Sequence, residues 1–170
     1  MTLNEIAKKM CAKGRGILAA DESTGTIAKR FKSINVENLE KNRLGFRQTL
    51  FNSSGVKHFI GGVILFDETI RQKTTLGPTI PELILKNGAI PGIKVDKGAK
   101  SLAGSIEETI TEGLDGLRER LKEYYTLGAR FTKWRAVYKI TNKFPSSQSI
   151  KSNAHALARY ASLVQEANMV

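Results

Sequence analysis

Lys133 and Arg135 stand two residues apart in a stretch of strand character, Phe131-Thr132-Lys133-Trp134-Arg135, so both are expected on one face of it. Phe131 and Val137 share that face and set the Lys133 ammonium between an apolar wall and a guanidinium. Desolvation and a neighbouring cation both disfavour a charged amine. An amine held that way moves protons or forms Schiff bases, and the planar fork of Arg135 suits a phosphate. The plainer alternative is an edge strand carrying two solvated charges, with Trp134 packed against a helix on the opposite face. A second lysine, Lys94, interrupts an apolar run over residues 90–95, where a solvated side chain is harder to place. Asp21 and Glu22 close a further apolar run, 17–20, and are followed by Ser23, Thr24, Gly25, Thr26, Lys29 and Arg30. A carboxylate held at a strand end, with hydroxyls and backbone N–H groups turned outward after it, suits a polar, phosphorylated ligand. A helix cap with a solvated turn accounts for the same residues equally well.

The elements that would position these residues follow from periodicity and punctuation. Thr2 to Glu5 is a capping box, with Leu3, Ile6, Ala7 and Met10 at helical spacing behind it and Gly14 as the stop. Strand 17–20 leads into a short helical turn carrying Ile27 and Phe31. Residues 38–51 read as a helix with Leu39, Phe46 and Leu50 on one stripe and Arg43 among them. The run 61–66 is of strand length and is followed by Asp67, Glu68 and Thr69. Thr79 and Glu82 form a second capping box with Pro81 in the first turn, and Gly88 ends that helix. A strand over 89–95 is closed by Asp96-Lys97-Gly98. A polar loop reaches about residue 112, and a helix with Leu114, Leu117, Leu121 and Tyr124 stops at Gly128. A strand over 131–140 is broken by Pro145. The last helix runs from about 149 to 167 with Ile150, Leu157, Ala161 and Val164 toward the core, and Met169 and Val170 begin another strand.

Strand and helix thus alternate about four times, and the strands are apolar throughout, as in a parallel sheet covered by helices. Residues 1–170 read as one α/β region with no internal boundary. Two architectures fit: a doubly wound sheet, or part of a (β/α) barrel, which typically needs ~250 residues. A barrel makes the sharper statement. Its polar residues at carboxyl strand ends converge, which would bring together Asp21, Glu68, Lys94, Asp96, Lys133 and Arg135, with an ion pair between Asp21 and Lys94.

Composition narrows the function classes. A single cysteine, Cys11, excludes an internal disulfide; on its amphipathic segment it is expected to be packed. The first ten residues lack the apolar core of a secretory signal, and no apolar run approaches the ~20 residues that span a bilayer, so a cytoplasmic location is expected. The net charge of +11 admits phosphorylated small molecules, anionic lipid or nucleic acid. The cations are spread along the chain, and no zinc-finger, RNP-like or helix-turn-helix pattern accompanies them, so nucleic acid is not the expected partner. His58 and His155 lack metal-ligand spacing, Gly14-Arg15-Gly16 lacks a dinucleotide fingerprint, and no nucleophile elbow is present.

Six segments, in order and across essentially the whole chain, carry a resemblance: GILAADEST (16–24), GGVILF followed by ET (61–69), GIKVDKG (92–98), TEGLDGLRER (111–120), GARFTKWR (128–135) and LARYAS (157–162). Together they resemble the class I fructose-1,6-bisphosphate aldolases. The resemblance implies a (β/α)8 TIM barrel of which about the first four βα units are present. It implies reversible cleavage of fructose 1,6-bisphosphate to dihydroxyacetone phosphate and glyceraldehyde 3-phosphate, in glycolysis and gluconeogenesis, through a lysine Schiff base with no metal and no cofactor. By the same resemblance Asp21 and Lys133 are catalytic, Lys133 assisting proton transfer, and Lys94 is an active-site lysine. Arg30, Arg43 and Arg135 match residues given to substrate or phosphate; Thr26 stands where many members have serine, and Glu22 adjoins Asp21 as in the family. The implied partners are a sugar phosphate and, for the full-length enzyme, further copies of itself, a tetramer in much of the family, with neither nucleic acid nor membrane. The family's imine lysine and its general acid/base glutamate belong to strands six and five, which the matched segments do not reach. Lys133 is therefore not expected to form the imine, and these 170 residues alone are expected to be inactive, or to act as a half barrel that binds phosphate or a complementing chain.

Overall fold

Thr2 opens the first helix with a reciprocal cap. In the computed structural model, which describes residues 1–170, the Thr2 hydroxyl accepts from the Glu5 N–H and the Glu5 carboxylate accepts from the Thr2 N–H, starting α1 (Leu3–Met10). The same device, Thr79 with Glu82, starts α6 further along. Six strands follow: β1 (Gly16–Ala20), β2 (Ile60–Leu65), β3 (Ile90–Lys94), β4 (Ala99–Ser101), β5 (Thr109–Thr111) and β6 (Phe131–Lys133). The other helices are α2 (Thr24–Ser33), α3 (Glu40–Phe51), α4 (Ser54–Phe59), α5 (Asp67–Arg71), α6 (Ile80–Lys86), α7 (Leu117–Thr126) and α8 (Ser147–Glu166).

Four strands form one parallel sheet in the order β1-β2-β3-β6. Each neighbour is the next parallel strand along the chain, with no reversal. A doubly wound sheet reverses its order at a switch point, so this arrangement is that of a barrel wall. After α8 the chain returns to the free side of β6, where Thr132 N–H donates to the Val170 carbonyl at 2.7 Å and Val170 N–H to the Arg130 carbonyl at 3.1 Å. Residues 169–170 do lead into a further pairing, as their apolar character predicts.

Two apolar clusters flank the sheet. The larger joins Val63, Leu65 and Ile93 to Phe51, Ile80, Ile84, Leu117, Leu121 and Val164 of the helices. The smaller closes the amino end of the strands, where Ile6 and Met10 of α1 meet Ile90 and Phe131. Glycines make that closure possible: a Cβ on Gly61 would stand 2.2 Å from the Met10 carbonyl oxygen, and one on Gly92 would stand 2.3 Å from the Phe131 ring.

The structure departs from the periodicity reading in several places. The stretch read as a polar loop up to residue 112 contains the antiparallel β4–β5 pair, too short and polar to signal itself. The strand expected over 131–140 ends at Lys133. Its partner β3 ends in register at Lys94, the last sheet bond beside it is Val95 N–H to the Lys133 carbonyl, and beyond it the Arg135 and Val137 carbonyls accept from the Thr111 and Thr109 hydroxyls of β5. In α8 the inward residues are Ser149, Asn153, Ala156 and Val164, and Ile150 is half-exposed. Asn153 causes this rotation, since its side chain donates to the Thr109 carbonyl and accepts from the Thr111 N–H. Cys11, expected to be packed, is exposed at the end of α1.

Glu108 fastens the same pair to the start of α8. Its carboxylate accepts from the Ser146 N–H at 2.7 Å and from the hydroxyls of Ser146 and Ser105. These hydrogen bonds, Ser146's first, hold the Glu108 carboxyl below the usual carboxylate range against the opposing effect of burial. A depressed folded-state pKa stabilises the protein above the unfolded value, about 4.3, and that contribution disappears as the pH falls through the folded value. The urea midpoint of the wild type should therefore drop from pH 6 to pH 3 by more than that of E108Q, whose uncharged amide has no such proton to take up. Parallel pH curves for the two proteins would overturn this.

Candidate active site

The carboxyl ends of the four parallel strands stand level, because Ala20 pairs with Leu65, Leu65 with Ile93 and Lys94 with Lys133. Asp21 is the first residue after β1, Glu68 lies in the first turn of α5 after β2, Lys94 ends β3 and Lys133 ends β6. The convergence expected of a barrel is therefore present, but its central ion pair is a different one. Lys133 Nζ donates to Asp21 Oδ2 at 2.5 Å. Lys94 instead takes Asp96, with Nζ 2.8 Å from Asp96 Oδ1 and 2.9 Å from the Asp96 carbonyl oxygen. The reason is reach: Lys94 and Asp96 share one strand end, whereas Lys133 faces across the sheet.

That crossing measures the curvature of the wall. Strands β1 and β6 are the outer members of the four, about 14 Å apart in a flat sheet at ~4.8 Å per strand. Direct contact between side chains that follow or end them requires the sheet to curl, as a barrel does. Asp21 is buried, while the Lys133 side chain is 32% exposed. A half-exposed ammonium on a fixed carboxylate can deliver a proton and recover it at one position. Trp134 points away, its ring 5.2 Å from that of Tyr160 in α8.

Basic residues surround this pair in two layers. Arg30, on α2, pairs with Glu22 and leaves its own side chain 58% exposed, so it can exchange that partner for a phosphate. Ser23 caps α2, accepting from the Thr26 N–H, and the exposed Thr26 hydroxyl stands 3.1 Å from that of Ser23. Arg135 is also exposed, two residues beyond the last residue of β6. Lys94 opens into a cleft of about 630 Å³ that Ser23, Phe66 and Arg120 also line.

Arg43 is placed differently from the expectation for a phosphate ligand. It is 8% exposed, and its guanidinium is spent on Glu68, at 2.8 and 2.5 Å, and on the carbonyl and side-chain oxygens of Asn38. This fork holds the Glu68 carboxyl below its ordinary range. The inward stripe of α3 is Arg43, Arg47 and Phe51, whereas Leu39 and Phe46 lie near 40% exposed. The helix turns its arginines inward because the strand ends beneath it present carboxylates. Arg47, absent from the sequence-derived set, is wholly buried, donates to the Glu22 carbonyl at 2.6 Å and lies 3.7 Å from Glu68. Burial pushes its guanidinium below the ordinary arginine value, with Glu22 and Glu68 opposing. Its four-residue spacing from both Arg43 and Phe51 was the available signal. His58 and His155 lie at the surface.

Known proteins share this fold. The family model for glycolytic class-I fructose-bisphosphate aldolase matches residues 2–170. A probable class 1 fructose-bisphosphate aldolase of Xanthomonas axonopodis pv. citri is 58% identical over 99% of the chain, which corresponds to 50% of that relative. Cytosolic fructose-bisphosphate aldolase 5 of Arabidopsis thaliana is likewise 58% identical, over 99% of the chain and 47% of its own length. Among solved structures, fructose-bisphosphate aldolase from Plasmodium falciparum, crystallised with TRAP and a small-molecule inhibitor, superposes with a TM-score of 0.95 at 49% identity, over 99% of the chain and 49% of that chain. The chain thus spans about half the length of the curated relatives it matches.

Proposed function

The chain belongs to the class I fructose-bisphosphate aldolase family, and from that membership we propose that it supplies the Asp21–Lys133 half of an active site for reversible aldol cleavage of fructose 1,6-bisphosphate. The observation that carries the reading is the contact of Lys133 Nζ with Asp21 across a curled parallel sheet. In this reading Lys133 moves a proton to and from the substrate, Asp21 holds that ammonium in place, and Lys94 and Glu22 contact the sugar phosphate. Arg30, Thr26 and Arg135 form the cationic and hydroxyl rim that receives phosphate. Arg43 orients Glu68 instead of binding substrate. The imine nucleophile is contributed by the barrel's other half, since the covalent route needs an amine that neither Lys94 nor Lys133 is assigned. The cytosolic name of the Arabidopsis relative supports a cytosolic enzyme, and no helix is long and apolar enough to cross a membrane. Assembly into a homo-oligomer belongs to the same reading.

One observation favours a complementing arrangement as the second reading. Strand β1 is paired only with β2, and Ile17 on it is 43% exposed. An open apolar edge invites a covering strand. The test is therefore a hybrid: these 170 residues joined to the carboxyl-terminal half of the Arabidopsis relative and assayed for cleavage in a coupled assay, beside the 170-residue polypeptide alone. Cleavage by the hybrid, and none by the polypeptide alone, is expected. A folded hybrid without cleavage overturns the aldolase reading. Phosphate binding by the polypeptide, with no borohydride trapping of dihydroxyacetone phosphate on it, favours the half-barrel reading.

A further inference from the structure

We propose that Arg47 is a positioning residue, fixing the Asp21 carboxylate for Lys133 through the carbonyl of Glu22. Four carboxylates lie at the ends of β1 and β2, and each already has a cation: Lys133 on Asp21, Arg30 on Glu22, Arg71 on Asp67 and Arg43 on Glu68. Arg47 is the fifth cation and has no carboxylate of its own. It has no exposed surface, its nearest carboxylate oxygen is the shared Glu68 Oε1 at 3.7 Å, and its Nε and Nη1 have no hydrogen-bond partner. Of its five N–H donors, the one clear bond is Nη2 to the Glu22 carbonyl at 2.6 Å.

A buried guanidinium so poorly satisfied is costly, and an apolar side chain of similar volume usually suits such a position as well or better for stability. What the arginine does there, and an apolar residue would not, is pin one peptide unit. That unit is the turn directly after Asp21, and it must hold its direction if a carboxylate from β1 is to meet an amine from β6 across the curl of the sheet. Burial under α3 makes the pin rigid, because the guanidinium has no water to exchange with. Lys94 provides an internal reference. It ends the adjacent strand β3 at the same level as Lys133, yet its partner Asp96 lies on its own strand end, with none of the Arg47 contacts involved.

The inference gives the aldolase reading its geometry, but its test needs no sugar phosphate, so either can fail while the other stands. Trace acylation of the 170-residue chain, followed by peptide mass spectrometry, reads the modification rate of each lysine. In R47M the rate at Lys133 relative to Lys94 should rise about three- to tenfold, the range for losing one hydrogen bond of ordinary strength. R47K, which keeps a cation and a donor, should lie closer to the wild type. Should R47M not fold, R47K carries the comparison, with a ratio raised above the wild type and Lys94 unchanged. Equal increases at both lysines would make Arg47 a general stability element and overturn the proposal, as would an unchanged ratio in a folded variant.

Discussion

Substitution of Lys133 by methionine is expected to lower kcat for aldol cleavage by the completed barrel by about two to four orders of magnitude, the usual worth of a positioned proton-transfer group. Methionine keeps the length and packing of the lysine stem and removes only the ammonium. D21N keeps the shape of the carboxylate and removes the charge that holds Lys133, so its loss should be of similar size. The informative variant is the double one. Two residues that act as a unit give losses that do not add, so K133M with D21N should fall within about threefold of the worse single variant. Steady-state kinetics with fructose 1,6-bisphosphate separates this from binding. Arg30, exposed and free to leave Glu22, should act on KM when replaced, whereas the Asp21–Lys133 pair acts on kcat. Full additivity of K133M and D21N, or a kcat within tenfold of wild type for either, would remove the pair from the chemistry.

Much of the frame behind that pair is readable from local chemistry. The caps at Thr2 and Thr79 announce themselves because donor and acceptor lie within four residues of each other, and the glycine stops and apolar runs are equally local. The site is less legible where partners are distant. Asp21 is conspicuous as an ionisable group ending an apolar run, and Lys133 as a cation two residues from Arg135 in a stretch of strand character. Which cation takes which carboxylate depends on the curl of the sheet, and periodicity carries no information on curl. The expected pair, Asp21 with Lys94, assumed that neighbouring strand ends pair; Asp96 lay closer to Lys94. Arg47 was hidden for a related reason. A helix is usually oriented by its apolar stripe, but α3 faces strand ends rich in carboxylate, so its inward stripe is two arginines and one phenylalanine. The end of β6 at Lys133 was hidden too, because Thr109 and Thr111 withdraw the following carbonyls into side-chain bonds.

The largest effect on stability is expected at a glycine far from the chemistry. G61A should destabilise the protein by about 3 kcal/mol, the upper end of overpacking costs, and lower its melting temperature by roughly 6–12 °C at 2–4 °C per kcal/mol for a chain of this size. The added Cβ would lie 2.2 Å from the Met10 carbonyl oxygen and 2.9 Å from the carbonyl carbon. Both are backbone atoms at the end of α1, so no rotamer change relieves the contact; either α1 lifts from β2 or the strand shifts. Gly45 has the opposite sign. It sits exposed in the middle of α3 with nothing within 4 Å of a built Cβ. G45A should therefore stabilise by about 0.5–1 kcal/mol, chiefly by restricting the unfolded chain. Urea unfolding of the two variants beside wild type checks both signs, and a midpoint for G61A at or above that of wild type would mean that α1 does not seat on Gly61. The clash lies at the amino end of β2, about 13 Å along the strand from Leu65 at ~3.3 Å per residue. G61A should consequently lower global stability while leaving the Lys133-to-Lys94 acylation ratio of the folded protein unchanged. A loss of fold and a loss of pair geometry are then distinct measurements on the same chain, one set at the closed amino end of the sheet and the other at its open carboxyl end.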